Sequence, residues 1–171
     1  MMTKPVEIVL GIDPGVTGAL ALVELRSRNL VSCHDFPLMN LGNSKRIVDP
    51  VKFAELLRIY QNQKNAIAIK FAVIEDVGVM TGKEGVVSMF NFGLGAGFLR
   101  GVMAGLSIPV FMVRPAIWKT DMNVPKDKKK AMEKAVSIFS YNEYMIRVKD
   151  QGRAEAAMLA FFGIKKFGNV W

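Results

Sequence analysis

A short run that is apolar on both faces belongs in the interior of a sheet covered on both sides, and Phe71-Ala72-Val73-Ile74 is such a run. It stops at Glu75, where the end of a buried strand is an unfavourable place for a free carboxylate. A β-rich run, Val6 to Ile12, likewise ends in an acid, Asp13, and Pro14-Gly15 turns the chain there. Two strands ending in acids, one of them a buried run, point to a sheet with charge concentrated at strand ends.

The segments between them supply the covers. Thr17 to Leu25 is a second apolar run, and Leu30 to Phe36 a third after the Ser27-Arg28-Asn29 turn. Three successive strands with short links predict an antiparallel meander. Residues 38–50 read as a polar loop. From Pro50, the apolar positions Phe53, Leu56, Leu57 and Tyr60 follow helical spacing, with Asp49 as N-cap and Pro50 at the first helical position. Beyond the 77–85 loop, a helix is predicted from Val86 to Leu106 and a fifth strand from Ile108 to Val113. A short turn follows through Trp118-Lys119, then a helix from Lys128 to Phe139 and a last helix from about Asp150. The order β-β-β-α-β-α-β-α-α predicts an α/β fold: a mixed five-stranded sheet, meander 1-2-3 plus parallel strands, flanked by helices. The expectation is one domain over residues 1–171, with catalytic groups at strand ends.

Charge narrows the partner. Lys and Arg number 23 against 15 Asp and Glu, a formal net charge of +8 that favours a polyanion such as nucleic acid. Cys33 is the only cysteine, which excludes an intrachain disulfide and a thiolate zinc site and suits a reducing cytoplasm. The residues from Met1 to Pro5 lack a signal-peptide layout, and no stretch reaches the roughly 20 apolar residues of a membrane span.

Four carboxylates stand out in this basic chain: Asp13, Glu75, Asp150 and Glu155. Clustered acids at element ends require a local cation, and hard ions such as Mg²⁺ take oxygen ligands from carboxylates, water and phosphate. Two such ions roughly 3.5–4 Å apart can activate water and stabilise the leaving oxygen of a phosphodiester. Asp13 also fits a turn former, and Asp150 an ordinary N-cap. Five residues separate Asp150 from Glu155, so they do not share a helical face, and Asp150 must reach the site from the cap. Gln151 and Gly152 are better aligned with Glu155.

The segments Leu10-Gly-Ile-Asp-Pro-Gly-Val-Thr-Gly-Ala19, Val73-Ile-Glu-Asp-Val77, Ser88-Met-Phe-Asn-Phe-Gly93, Pro115-Ala-Ile-Trp-Lys119 and Lys149-Asp-Gln-Gly-Arg-Ala-Glu-Ala156 occur in one order along the chain. In this set the sequence resembles the RuvC-type Holliday junction resolvases, particularly the small phage-associated branch, within the RNase H-like superfamily. The resemblance implies a homodimer that nicks a four-way DNA junction in pairs, with Mg²⁺ (or Mn²⁺), two ions per site, and no small-molecule cofactor. It assigns Asp13, Glu75 and Glu155 as metal-binding catalytic acids and Asp150 as the fourth. Similar phage sequences often carry His where this chain has Gln151, which has no useful pKa for proton transfer. His34, the only histidine, is read as structural.

Lys126, Lys128, Lys129 and Lys130 form the densest basic run; with Lys83, Lys119, Lys149 and Arg153 they are the expected phosphate contacts. Met80, in the loop after Glu75, is a candidate wedge at an unstacked junction base. Gly93, Gly97, Gly101 and Gly105 recur every fourth residue, each costing about 1 kcal/mol against Ala in a helix. Close approach of the protein's own sheet or of a partner helix would compensate, and the resemblance favours a dimer interface at Gly93, Gly97 and Gly101. Trp118 is read as a core anchor. Three rivals share some of these features. The actin-like phosphotransferases carry an Asp-x-Gly-x-Thr loop such as Asp13 to Thr17 but need two lobes. A nuclease for RNA–DNA hybrids would share the metal site, and a non-catalytic branched-DNA-binding module would explain the charge but not the acids.

Overall fold

The computed structural model describes residues 4–15, 17–42, 46–62, 66–76, 85–140, 143–145 and 147–170, and only the backbone of 86–88 and 148. Strands β1 (Val6–Asp13), β2 (Ala19–Glu24) and β3 (Leu30–Asp35) form the expected meander. A small hairpin, β4 (Leu38–Asn40) with β5 (Arg46–Val48), occupies the region expected to be a loop, and helix α1 (Pro50–Asn62) follows. Strand β6 (Ile67–Glu75), helix α2 (Val86–Gly105) and strand β7 (Val110–Val113) complete the crossovers. The expected turn after β7 is a two-turn helix, α3 (Pro115–Asp121), and α4 (Lys128–Phe139) and α5 (Gln151–Phe167) end the chain.

The five-stranded sheet has the order β3-β2-β1-β6-β7, antiparallel across β1–β2–β3 and parallel across β1–β6–β7. Each central strand is buried on both faces, as its unbroken apolar run requires. Ile8, Leu10 and Ile12 of β1 join Ala72 and Ile74 of β6 in a core under α1 and α2. Val9 of β1 joins Phe71 and Val73 of β6 in the other core, under α4 and α5 and around Trp118. Among the described residues, no helix is long and apolar enough to cross a membrane.

Period-two alternation therefore settles where the strand-end acids point. Asp13 follows Val9 and Gly11 on the α5 side of β1, and Glu75 follows Phe71 and Val73 on the same side of β6. The parallel register, Gly11 to Val73 and Ile12 to Ile74, brings both strands to the same rim. Helix α5 can lie close over that rim because Gly11 has no side chain: a Cβ there would collide with the backbone carbonyl of Ala156. Ala154, Ala156, Ala157 and Ala160 keep the helix surface low where it crosses β1 and β2.

Candidate active site

Three elements deliver three carboxylates to one point. Asp13 comes from the end of β1, Glu75 from the end of β6, and Glu155 from the second turn of α5. One oxygen from each lies within 4.8 Å of the others. Glu75 is 8% exposed, and Asp13 is also largely out of water. Burial, then the charges of Glu155 and Glu75, push Asp13 up to about 8 from 3.8, against the opposing pull of Lys119. Three hard oxygen donors this close, one of them driven toward neutrality by burial and then by its acidic neighbours, fit a divalent cation of the Mg²⁺ type.

Their supports come from α3 and α5. The indole Nε1 of Trp118, fully buried, donates to Glu75 Oε1 at 2.9 Å. The sequence marks Trp118 as a core residue but not for this bond; its position three residues past Pro115, where the helix starts, carries no sign of a polar duty. The next residue, Lys119, places its ammonium 2.7 Å from Glu155 Oε2 and 3.7 Å from Glu75 Oε1. Burial draws the Lys119 pKa down, but the bond to Glu155 and the three acid charges outweigh it and hold it above its ordinary value. Gln151, one helical turn before Glu155, donates from Nε2 to Glu155 Oε1 at 2.7 Å. In this arrangement it orients a carboxylate, for which an amide serves and no titration is needed.

Asp150 does not join the three. It is 4% exposed, and both its oxygens face Arg147: Oδ1 accepts from Nη2 at 2.9 Å, and Oδ2 from the backbone N–H at 2.9 Å and Nε at 3.2 Å. That bonding to Arg147 holds its carboxyl below the usual range despite burial. It makes no side-chain cap bond to α5 either. The expected reach from the cap fails because the carboxylate folds back onto Arg147, just before the 3₁₀ turn Val148–Asp150. The position beside Asp13 belongs instead to Gly152, where a Cβ would sit 3.3 Å from Asp13 Oδ2 and 3.0 Å from the Thr17 carbonyl.

The basic residues divide in the same way. Lys126, Lys128, Lys129, Lys130 and Lys149 are exposed, as phosphate contacts must be. Arg153 is held to Asp35 by two 2.7 Å bonds, and Lys119 faces acids. Lys83 and Met80 lie outside the described residues. A Cβ at Gly93, Gly97, Gly101 or Gly105 would meet nothing within 4 Å, so packing on the protein's own sheet does not explain that stripe. His34 bonds to Ser32 and Tyr60, away from the acids.

No family model matches the chain, and no curated protein matches it by sequence. Solved structures do match. RuvC from Thermus thermophilus, in a complex with a Holliday junction substrate, superposes with a TM-score of 0.62 at 13% identity, over 94% of this chain and 96% of that one. A second T. thermophilus RuvC structure gives a TM-score of 0.62 at 14% identity, over 92% of this chain and 95% of that one. The fold is that of RuvC. The yeast mitochondrial Holliday junction resolvase Ydc2 shares it at a TM-score of 0.53 and 14% identity, over 98% of this chain and 84% of that one. The RuvC-like sheet and its covering helix are what bring the three acids to one rim.

Proposed function

We propose that this chain is a divalent-metal-dependent endonuclease that resolves four-way DNA junctions and related branched DNA by paired nicks, acting as a homodimer. The observation that carries the reading is the meeting of Asp13, Glu75 and Glu155 at one rim of a RuvC fold in a protein of net charge +8. These three residues would hold the ion. When bound, it supplies Lewis-acid stabilisation of phosphoryl charge and a hydroxide-like nucleophile for cleavage to a 3′ hydroxyl and 5′ phosphate.

The chain's own residues prepare that event. Trp118 holds the rotamer of Glu75 and Gln151 that of Glu155, so the carboxylates are in place before substrate arrives. Lys126, Lys128, Lys129 and Lys130, at and before the start of α4, would draw the phosphate backbone to the surface without reading sequence. The outer face of α2 supports the dimer. Phe90 is 68% and Leu94 60% exposed beside the open glycine stripe, an apolar surface suited to a symmetric partner helix.

The test is cleavage of four-way, three-way, duplex and RNA–DNA hybrid substrates with and without Mg²⁺. Selective, Mg²⁺-dependent nicking of the four-way junction is expected. Asp13→Asn and Glu75→Gln should lose cleavage and keep junction binding. Full activity in either variant removes the metal assignment, and equal cutting of all four substrates makes the protein a general nuclease.

A further inference from the structure

The metal reading leaves Lys119 with a conflict. Its ammonium lies among the carboxylates that a divalent ion would use, 2.7 Å from Glu155 Oε2 and 3.7 Å from Glu75 Oε1. Mg²⁺ binds oxygen at about 2.0–2.1 Å, so an ion on these oxygens would lie within a few ångströms of Nζ, where two like charges repel strongly. We propose that Lys119 is a tethered counter-ion of the acid cluster: it competes with the divalent metal for Glu155 and Glu75, and metal binding requires it to leave. The inference rests on the proposed metal site and goes beyond it by naming what that site must release.

The surroundings separate what can move from what cannot. Trp118 and Lys119 are neighbours on α3, and both reach the acids. The indole is fully buried and donates to Glu75 Oε1; it is neutral and can stay while Glu75 takes a metal. The Lys119 side chain is 36% exposed and rides on a flexible four-carbon stem, so it can swing into solvent. Three carboxylates and one ammonium sum to a charge of −2 when all are ionised. With Lys119 in place the cluster is only two-thirds as anionic, which weakens its hold on any incoming cation. The acids thus keep a packed, compensated geometry before metal arrives, at the cost of metal affinity.

The experiment is titration of the DNA-free protein with Mn²⁺, followed by calorimetry and by the loss of free Mn²⁺ signal in electron paramagnetic resonance. Lys119→Met keeps the stem and removes the charge; it should bind Mn²⁺ at least tenfold more tightly than the unaltered protein. Lys119→Gln provides a second, soluble replacement and should shift affinity in the same direction. In the unaltered protein labelled with ¹⁵N at lysine Nζ, the Lys119 ammonium should give a slowly exchanging signal that disappears as Mg²⁺ is added. Equal or weaker Mn²⁺ binding by the variants, or an ammonium signal unmoved by saturating Mg²⁺, overturns the competition while leaving the metal site standing. Absence of Mn²⁺ binding by every protein overturns the metal site and the competition together.

Discussion

Asp13→Asn should stabilise the metal-free protein, and the size of the gain should depend on pH. Burial and the charges of Glu155 and Glu75 raise the Asp13 carboxyl from 3.8 to about 8. The folded state therefore holds a proton that the unfolded chain releases near pH 4. Where the folded state binds more protons, stability falls as pH rises, so the loss runs from about pH 4 to about pH 8 and is complete above it. At about 1.36 kcal/mol per unit, a shift of about four units sets a ceiling near 6 kcal/mol. Water at the rim softens this field, as an effective dielectric near 20 implies, and roughly 3 kcal/mol is the expected effect. The amide of Asn cannot ionise and so avoids the loss. Urea unfolding in EDTA at pH 4.5, 6, 7.5 and 9, followed by circular dichroism, should show the two proteins converging at the acid end. They should separate by a few kcal/mol at pH 9, with the variant the more stable. His34, lowered by burial, gains stability with rising pH but is common to both proteins and cancels in the difference. Mg²⁺ at pH 8 should restore stability to the unaltered protein and do little for the variant. Parallel pH profiles would refute the claim that burial and its fellow acids raise the Asp13 carboxyl.

Trp118→Phe keeps most of the packing but leaves Glu75 Oε1 without its indole donor, so it should cost about 1–3 kcal/mol in thermal unfolding and weaken Mn²⁺ binding; unchanged melting and binding would reduce Trp118 to a packing residue. Lys129→Gln should lower junction affinity alike for all sequences and reduce the slope of log affinity against log salt by about 0.9, provided the residue contacts one phosphate; an unchanged slope places DNA elsewhere. In a monomer, Gly97→Ala should stabilise α2 by up to about 1 kcal/mol. Across a close helix–helix interface the same change should weaken association, which light scattering at graded concentrations reads directly; the unaltered protein is expected at twice 18.9 kDa. Arg147→Ala exposes the bonding of Asp150: it should destabilise the start of α5 and leave Mn²⁺ affinity unchanged, whereas a sharp loss of metal binding would return Asp150 to the metal site.

Much of this protein was legible before its tertiary structure. The run Phe71–Ile74 is apolar on both faces, which by itself points to a sheet covered on both sides, and the β-rich run Val6–Ile12, which includes Glu7, marks a second strand ending in an acid. If the two strands are neighbours, Asp13 and Glu75 emerge near one rim; the register that puts them on the same face comes from the structure. The first four residues of β6 were harder to read because Lys70 interrupts the run; in the structure the β1–β6 register shifts there, and Lys70 lies 3.5 Å from Glu7. The hairpin β4–β5 and the short helix α3 were missed for another reason: each is too short for periodicity to show.

The sequence by itself thus determined the layers of the fold, the strand-end position of two acids and the helical face of Glu155, because periodicity and burial are local properties of the chain. Only the tertiary structure decided which charges meet. Asp150 and Lys119 looked like a ligand and a DNA contact from their neighbours in sequence. Folding gave Asp150 to Arg147 and set Lys119 among the acids, because charge pairing depends on distances of a few ångströms between elements far apart in the chain.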